Sequence, residues 1–369
     1  MNKNNKTMLT ILLLFLVLVI SSCEEDPKEQ CGDGICDPAE LQLGTCKTDC
    51  IETPPLVEAE PGVVYLGFML HLEGWTTEDT NQGQFEDHAI AARQIATIFE
   101  ENNAKITFEA KPEFVSGCTN WNDNVLLELY NRGHGIGVHA DVGGRAIELG
   151  YSQEQMVHEI TQMKNNMETL IGHGVRHVSG VCSDLDWVTA SIEAGYSFTT
   201  GNVAYCVVSM PYEDRPEEFK DCENPVKCHD AFPSDLLERI HPWKMDSGLN
   251  WINHDPNGQL VILPANNVIK GFGERTQEEF ALMQQQTLPG GKSVFSKDDV
   301  DIYIDNLQQA IANAKTDELN MYYVAWSIGD PILNEEVFDY FFTQIQPYIN
   351  SGQVEWKTLP EIYDLYMGY

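Results

Sequence analysis

The sequence predicts an α/β fold, a barrel of parallel strands alternating with helices and preceded by a small disulfide-rich module. Three observations carry this. From Pro61 onward, short apolar strands alternate with amphipathic helices. Helices of ten or more residues separate the strands, which imposes parallel crossovers. Seven or eight such units imply a closed barrel rather than an open sheet. No glycine fingerprint of the dinucleotide or phosphate-loop kind follows any strand, which argues against the open doubly wound alternative and against nucleotide chemistry.

The elements follow in order. A strand is expected over 63–70 (VVYLGFML), then a helix over 86–101 with Ala89, Ile90, Ala92, Ile95, Ala96 and Phe99 on one side and Asn102 and Asn103 as its stop. Next come a strand over 105–109, a helix near 123–131, a strand over 135–139, a helix over 153–170, a strand over 175–181, a helix over 185–194 and a strand over 196–200. An irregular segment from Asn202 to Asn257 is too long for a simple connection and reads as a cover for the barrel mouth. The chain then returns to strand 259–263, helices near 276–285 and over 297–314, strand 320–326, a helix over 334–349 and strand 353–356.

Ahead of Pro61 the organisation differs. Lys3 and Lys6 precede thirteen apolar residues, Met8 to Ile20, too short a run to span a bilayer as a helix; residues 1–22 read as a signal peptide. The run ends in Ile20-Ser21-Ser22-Cys23, similar to the lipobox of exported lipoproteins, so the expected mature protein is anchored to the cell envelope by lipid on Cys23. Ordinary cleavage after Ser22 is the plainer alternative. Residues 23–60 form an acidic stalk whose Cys31, Cys36, Cys46 and Cys50 should make two disulfides, with three connectivities open. Asp33, Asp37, Glu40 and Asp49 are candidate calcium ligands there, with solvated surface acids as the alternative. Of the five later cysteines, Cys222 and Cys228 bracket a loop and are the expected pair, and at least one of Cys118, Cys182 and Cys206 must remain a thiol. The formal charge of −35, from 22 basic and 57 acidic residues, excludes a nucleic-acid or anionic-membrane surface.

In such a barrel the active site is assembled at the carboxyl ends of the strands. The first strand runs into His71-Leu72-Glu73-Gly74-Trp75, and alternation puts His71 and Glu73 on one face. The third runs into His139-Ala140-Asp141, where His139 and Asp141 likewise share a face. Two imidazoles and two carboxylates converging at one mouth suit a divalent transition metal such as zinc, which takes nitrogen and oxygen ligands near 2.0 to 2.2 Å. A polar plug or a metal-free binding pocket is the alternative.

At these residues the chain resembles the polysaccharide deacetylase family, exported metal-dependent hydrolases with a (β/α)7-type distorted barrel, over 61–369. The stretch AKITFEA (Ala104 to Ala110) sits where that family has its Ala-Thr-Phe-Phe strand, and LELYNRGHGIGVHADVGG (Leu127 to Gly144) matches its Gly-His-Glu-Ile-Gly-x-His region. RHVSGV with SIEAGYSFTTG (Ser191 to Gly201) resembles a third region, and LPEIYDLY resembles the last helix. The resemblance puts His71 at the base position, Glu73 at a ligand position and His139 at the first histidine of a His-x-x-x-His ligand pair. Departures are plain: the second histidine falls on Gly143, Ser179 stands for the arginine of Arg-x-Pro-x-Gly, and Trp326-Ser327 replaces a histidine acid.

The resemblance implies hydrolysis of an acetyl group on a glycan. Glu73, His139 and Asp141 are the expected metal ligands, His71 the base or fourth ligand, and Asp184, Asp186 or His241 the candidate acid for the departing group. Trp75, Trp121 and Trp187 are candidates for stacking on sugar rings, with core packing as the other role. Two rivals stand beside this: a noncatalytic glycan-binding lipoprotein, and a glycoside hydrolase drawing on Glu73 with Asp141 or Asp184.

Overall fold

The computed structural model divides the chain into two compact units, Met1–Glu58 and Ala59–Tyr369, and describes residues 62–72, 77–223, 228, 231–265, 296–327 and 335–368, all in the second. The signal segment, the cysteine-rich module, Glu73, Trp75 and the expected helix near 276–285 lie outside the described residues.

Nine described strands form one sheet. They are β1 (Val64–Leu72), β2 (Thr107–Ala110), β3 (Gly135–His139), β4 (His177–Ser179), β5 (Phe198–Thr199), β6 (Trp243–Met245), β7 (Leu260–Ile262), β8 (Asn320–Ser327) and β9 (Val354–Trp356). The order is β6-β7-β5-β4-β3-β2-β1-β8, with every neighbouring pair parallel except β6–β7. Leaving out β6 and β9, seven parallel strands remain, the count of a (β/α)7 barrel. The barrel is distorted rather than evenly closed. Among the described residues β8 and β6 end the sheet without pairing, and β1 gives Val64–Leu66 to β9 and Met69–Leu72 to β2.

Alternation along β1 sorts the two layers. Val64, Leu66, Phe68, Leu70 and Leu72 face the helices in the main apolar core. Met69 points the other way, into a second apolar cluster with Phe198, Val261, Leu263, Met321 and Tyr323. The last helix closes that inner cluster from one end through Leu359 and Ile362. A concave inner face with an apolar floor and a polar mouth results.

The helices are α1 (Gln82–Glu101), α2 (Pro112–Asn120), α3 (Val125–Asn131), α4 (Gly143–Leu149), α5 (Gln153–Ile171), α6 (Trp187–Glu193), α7 (Lys297–Ala312), α8 (Glu335–Asn350) and α9 (Leu359–Gly368). The side chain of Asn81 caps α1, which therefore starts four residues before the apolar periodicity, and Asn102 ends it, with Asn103 following at φ +56°. A capping box of Ser152 and Gln155 opens α5. Two helices were not among the expectations. Pro112 begins α2 directly after a strand, a position where its missing N–H costs nothing, and Gly143 begins α4.

The described residues of the segment 202–257 include four 3-10 turns and the short strand β6, and two disulfides hold them: Cys222–Cys228, the expected pair, and Cys182–Cys206. Cys118 is the remaining thiol, buried on α2, and burial pushes it up to about 12.

Candidate metal centre

The site begins with sheet register. His71 on β1 pairs with Glu109 on β2, and Glu109 pairs with Gly137 on β3. Two residues further along β3, His139 pairs with Ser179 on β4. Because side chains repeat every second residue, all of these look into the same inner face. One donor atom each from His71, Glu109 and His139 lies within 4.8 Å of the others. The two imidazoles stack at 4.0 Å between ring centres, 19° from parallel.

Glu109 is the centre of the polar cluster and is 0% exposed. Its Oε2 lies 3.0 Å from His71 Nε2 and accepts the Ser179 hydroxyl, while its Oε1 accepts the Thr200 hydroxyl. His177 Nε2 stands 3.2 Å from Oε1, an ion-pair distance without the alignment of a hydrogen bond. Burial pushes the Glu109 carboxyl up, but the imidazoles of His177 and His71 pull it down further and hold it well below the usual carboxylate range. Ser179 ties the cluster together, since its Oγ is also 2.8 Å from His139 Nδ1 and 3.4 Å from His71 Nε2.

Of the residues expected at the site, the structure brings together His71 and His139. Asp141 follows β3 at φ +45°, its carboxylate is 57% exposed, and Lys111 Nζ donates to its Oδ2 at 2.9 Å. Asp141 and Lys111 thus mark the rim. Asp184 is exposed, and together with burial its charge raises the Tyr205 phenol. Asp186 caps α6, accepting from the Thr189 amide and hydroxyl, and also accepts from Ser247 and the Gly248 amide, which fastens the segment after β6. His241 lies beside the Leu319 carbonyl, before the amino end of β8. Eight residues of strand separate Leu319 from Ser327, the register partner of His71, about 26 Å at 3.3 Å per residue. His241 is therefore at the opposite end of the sheet. Trp187 is wholly buried and donates to Ser209, and Trp121 donates to the Glu78 carbonyl, so both indole N–H groups serve packing.

Sequence reasoning missed Glu109 and the supporting residues Ser179, Thr200 and His177. The signal was present in AKITFEA: in a strand buried on both faces, a glutamate is an anomaly that needs a partner.

The donor set fits a divalent transition metal. Two imidazoles and one carboxylate make a common ligand set, and each Glu109 oxygen has two lone-pair directions, so ligation is compatible with the Ser179 and Thr200 bonds. His139 Nδ1 is held by Ser179, which fixes the orientation of the ring beside Glu109.

No protein-family model matches the chain, and no curated protein matches it. Among solved structures it is similar to a putative polysaccharide deacetylase from Mycobacterium smegmatis, at 11% identity and TM-score 0.49 over 84% of this chain and 92% of that one. It is similar also to a probable polysaccharide deacetylase from Pseudomonas aeruginosa PAO1, at 13% identity and TM-score 0.47 over 81% and 89%. A third is Puue allantoinase, at 13% identity and TM-score 0.45 over 81% and 88%. These are likenesses of architecture. What the fold and site define is an α/β distorted barrel with a buried His–Glu–His cluster at the carboxyl ends of its strands.

Proposed function

We propose that this protein is an exported, metal-dependent hydrolase of the carbohydrate deacetylase type, removing acetyl groups from a glycan. One observation carries the reading: the convergence of His71, Glu109 and His139 within 4.8 Å at the mouth of the barrel. The sequence resemblance through Leu127 to Gly144 supports the reaction class, and the two disulfides of the barrel agree with an oxidising compartment and thus with export, while a lipid anchor on Cys23 rests on the Ile20-Ser21-Ser22-Cys23 segment alone.

In this reading His71, Glu109 and His139 hold the metal, with zinc the ion that the donor set suits best. Bound there, it supplies Lewis-acid polarisation of the acetyl carbonyl and a water acidified toward neutral pH. The chain's own groups do the rest. Glu109 brings a fixed negative charge, Ser179 orients both Glu109 and His139, and Lys111 and Asp141 present polar contacts at the rim for a hydroxyl-rich substrate.

The test is elemental analysis of the purified full chain, together with acetate release from acetylated amino sugars. About one divalent metal per chain, lost on His139→Ala together with acetate release, is the expected result. Metal-free protein that releases no acetate overturns it.

A further inference from the structure

We propose that His177 is a positioning residue for the metal centre, holding the Glu109 carboxylate in its ligating orientation from the floor of the barrel; this rests on the metal reading above. His177 is 0% exposed, and among the described residues neither ring nitrogen has a hydrogen-bond partner. An imidazole buried in this way forfeits its hydration with little return. Packing alone would be served better by an apolar ring of similar size.

The surroundings fix the ring in one place. Its face stacks on Phe198 at 4.6 Å and 14°, and Phe198 in turn stacks on Tyr363 of the closing helix at 4.9 Å and 16°. On the neighbouring strand β3, Gly137 leaves the room, because a Cβ there would lie 2.0 Å from His177 Nε2. Glycine at 137 and an aromatic floor at 198 thereby hold Nε2 3.2 Å from Glu109 Oε1. Oε2 faces His71 on the other side of the same carboxylate. The carboxylate is gripped between two imidazoles, one at the mouth among the ligands and one beneath. An outer partner of this kind sets ligand orientation, and its removal typically lowers metal affinity 10–100-fold.

The experiment is Co(II) titration of the full chain, followed by its visible absorption, for wild type, His177→Phe and His177→Gln. Phenylalanine keeps the stack and removes both nitrogens. Glutamine restores an N–H near the position of Nε2. We expect His177→Phe to bind Co(II) about 10–100-fold more weakly with an altered visible band, and His177→Gln to recover most of both. Equal affinity and spectrum in wild type and His177→Phe, or no recovery in His177→Gln, overturns the proposal. If circular dichroism shows His177→Phe unfolded, His177→Asn takes its place: its shorter amide falls short of Oε1, and equal binding by the Asn and Gln variants overturns the proposal. A wild-type chain that takes up no Co(II) removes the metal reading itself, and this inference with it.

Discussion

The Glu109 carboxylate lies 3.0 Å from the His71 imidazole with no exposure to solvent, and it answers hydroxyls from Ser179 and Thr200 as well. Removing a charge so embedded leaves its partners facing a void, whereas an amide keeps their shape. Glu109→Ala should therefore cost about 3–5 kcal/mol of stability. Glu109→Gln should cost clearly less and still lower metal affinity by more than about 100-fold, beyond what an outer partner controls. Denaturant unfolding and metal titration of the two variants check this. Wild-type metal content in Glu109→Gln would remove Glu109 from the ligand set.

His134 supplies a pH dependence far from the site. Its Nδ1 accepts the Ile106 amide at 3.2 Å and its Nε2 faces Glu100 at 3.1 Å. Burial, outweighing Glu100, lowers the imidazole from 6.5 to about 4. Between those values the unfolded chain binds a proton that the native one does not. The contribution is thus fully present above pH 6.5 and is lost as pH falls toward 4, at most about 3 kcal/mol. Glu100, lowered from 4.5 to about 2 chiefly by Arg132 against the opposing effect of burial, continues the loss from 4.5 downward. Thermal midpoints measured from pH 7 to 4 should fall steadily, and His134→Gln should flatten the upper part of that curve.

Much of this architecture can be read from residues, and what escaped has physical causes. β3 falls on 135–139 as expected because a positive-φ glycine precedes it and its run is short and apolar. α2 escaped because Pro112 looks like a breaker when it is in fact a helix start, and β6 because three residues give no period. Two of the three candidate ligands, His71 and His139, were visible. Glu109 was not, since reading KITFE only as a strand overlooks that period 2 sets residue 109 beside 107 on the inner face. Asp141 shares the parity of His139, but the chain turns at φ +45° and carries it to Lys111. Parity holds only while the strand continues.

The cysteines should separate cleanly in chemistry. Cys118 is buried with its thiol pushed up to about 12, so it presents almost no thiolate at pH 8 and should resist alkylation until the chain unfolds. Cys182–Cys206 bridges a separation of 24 residues and ties the segment after β5 to the loop after β4. Replacing both cysteines with serine should cost about 3 kcal/mol through the freed unfolded state. Native-state labelling followed by mass spectrometry, and denaturation of the double variant, test each half separately.

The sequence resemblance aligns Gly143 with the second histidine of a His-x-x-x-His pair, and the packing at 143 leaves no room for that side chain. A Cβ at 143 would lie 1.9 Å from the Cys182 carbonyl oxygen, a backbone atom that side-chain rotation cannot clear. The Cys182–Cys206 bond and the Gly143 amide donating to the Gly180 carbonyl at 3.2 Å hold both sides of that contact. Gly143→His should therefore destabilise the protein by about 3 kcal/mol, the upper range for forcing extra atoms into packed structure, and bring no gain in metal affinity. Urea unfolding and Co(II) titration of this variant decide the point. Wild-type stability with tighter metal binding would mean that the loop yields and that a side chain at 143 reaches the centre.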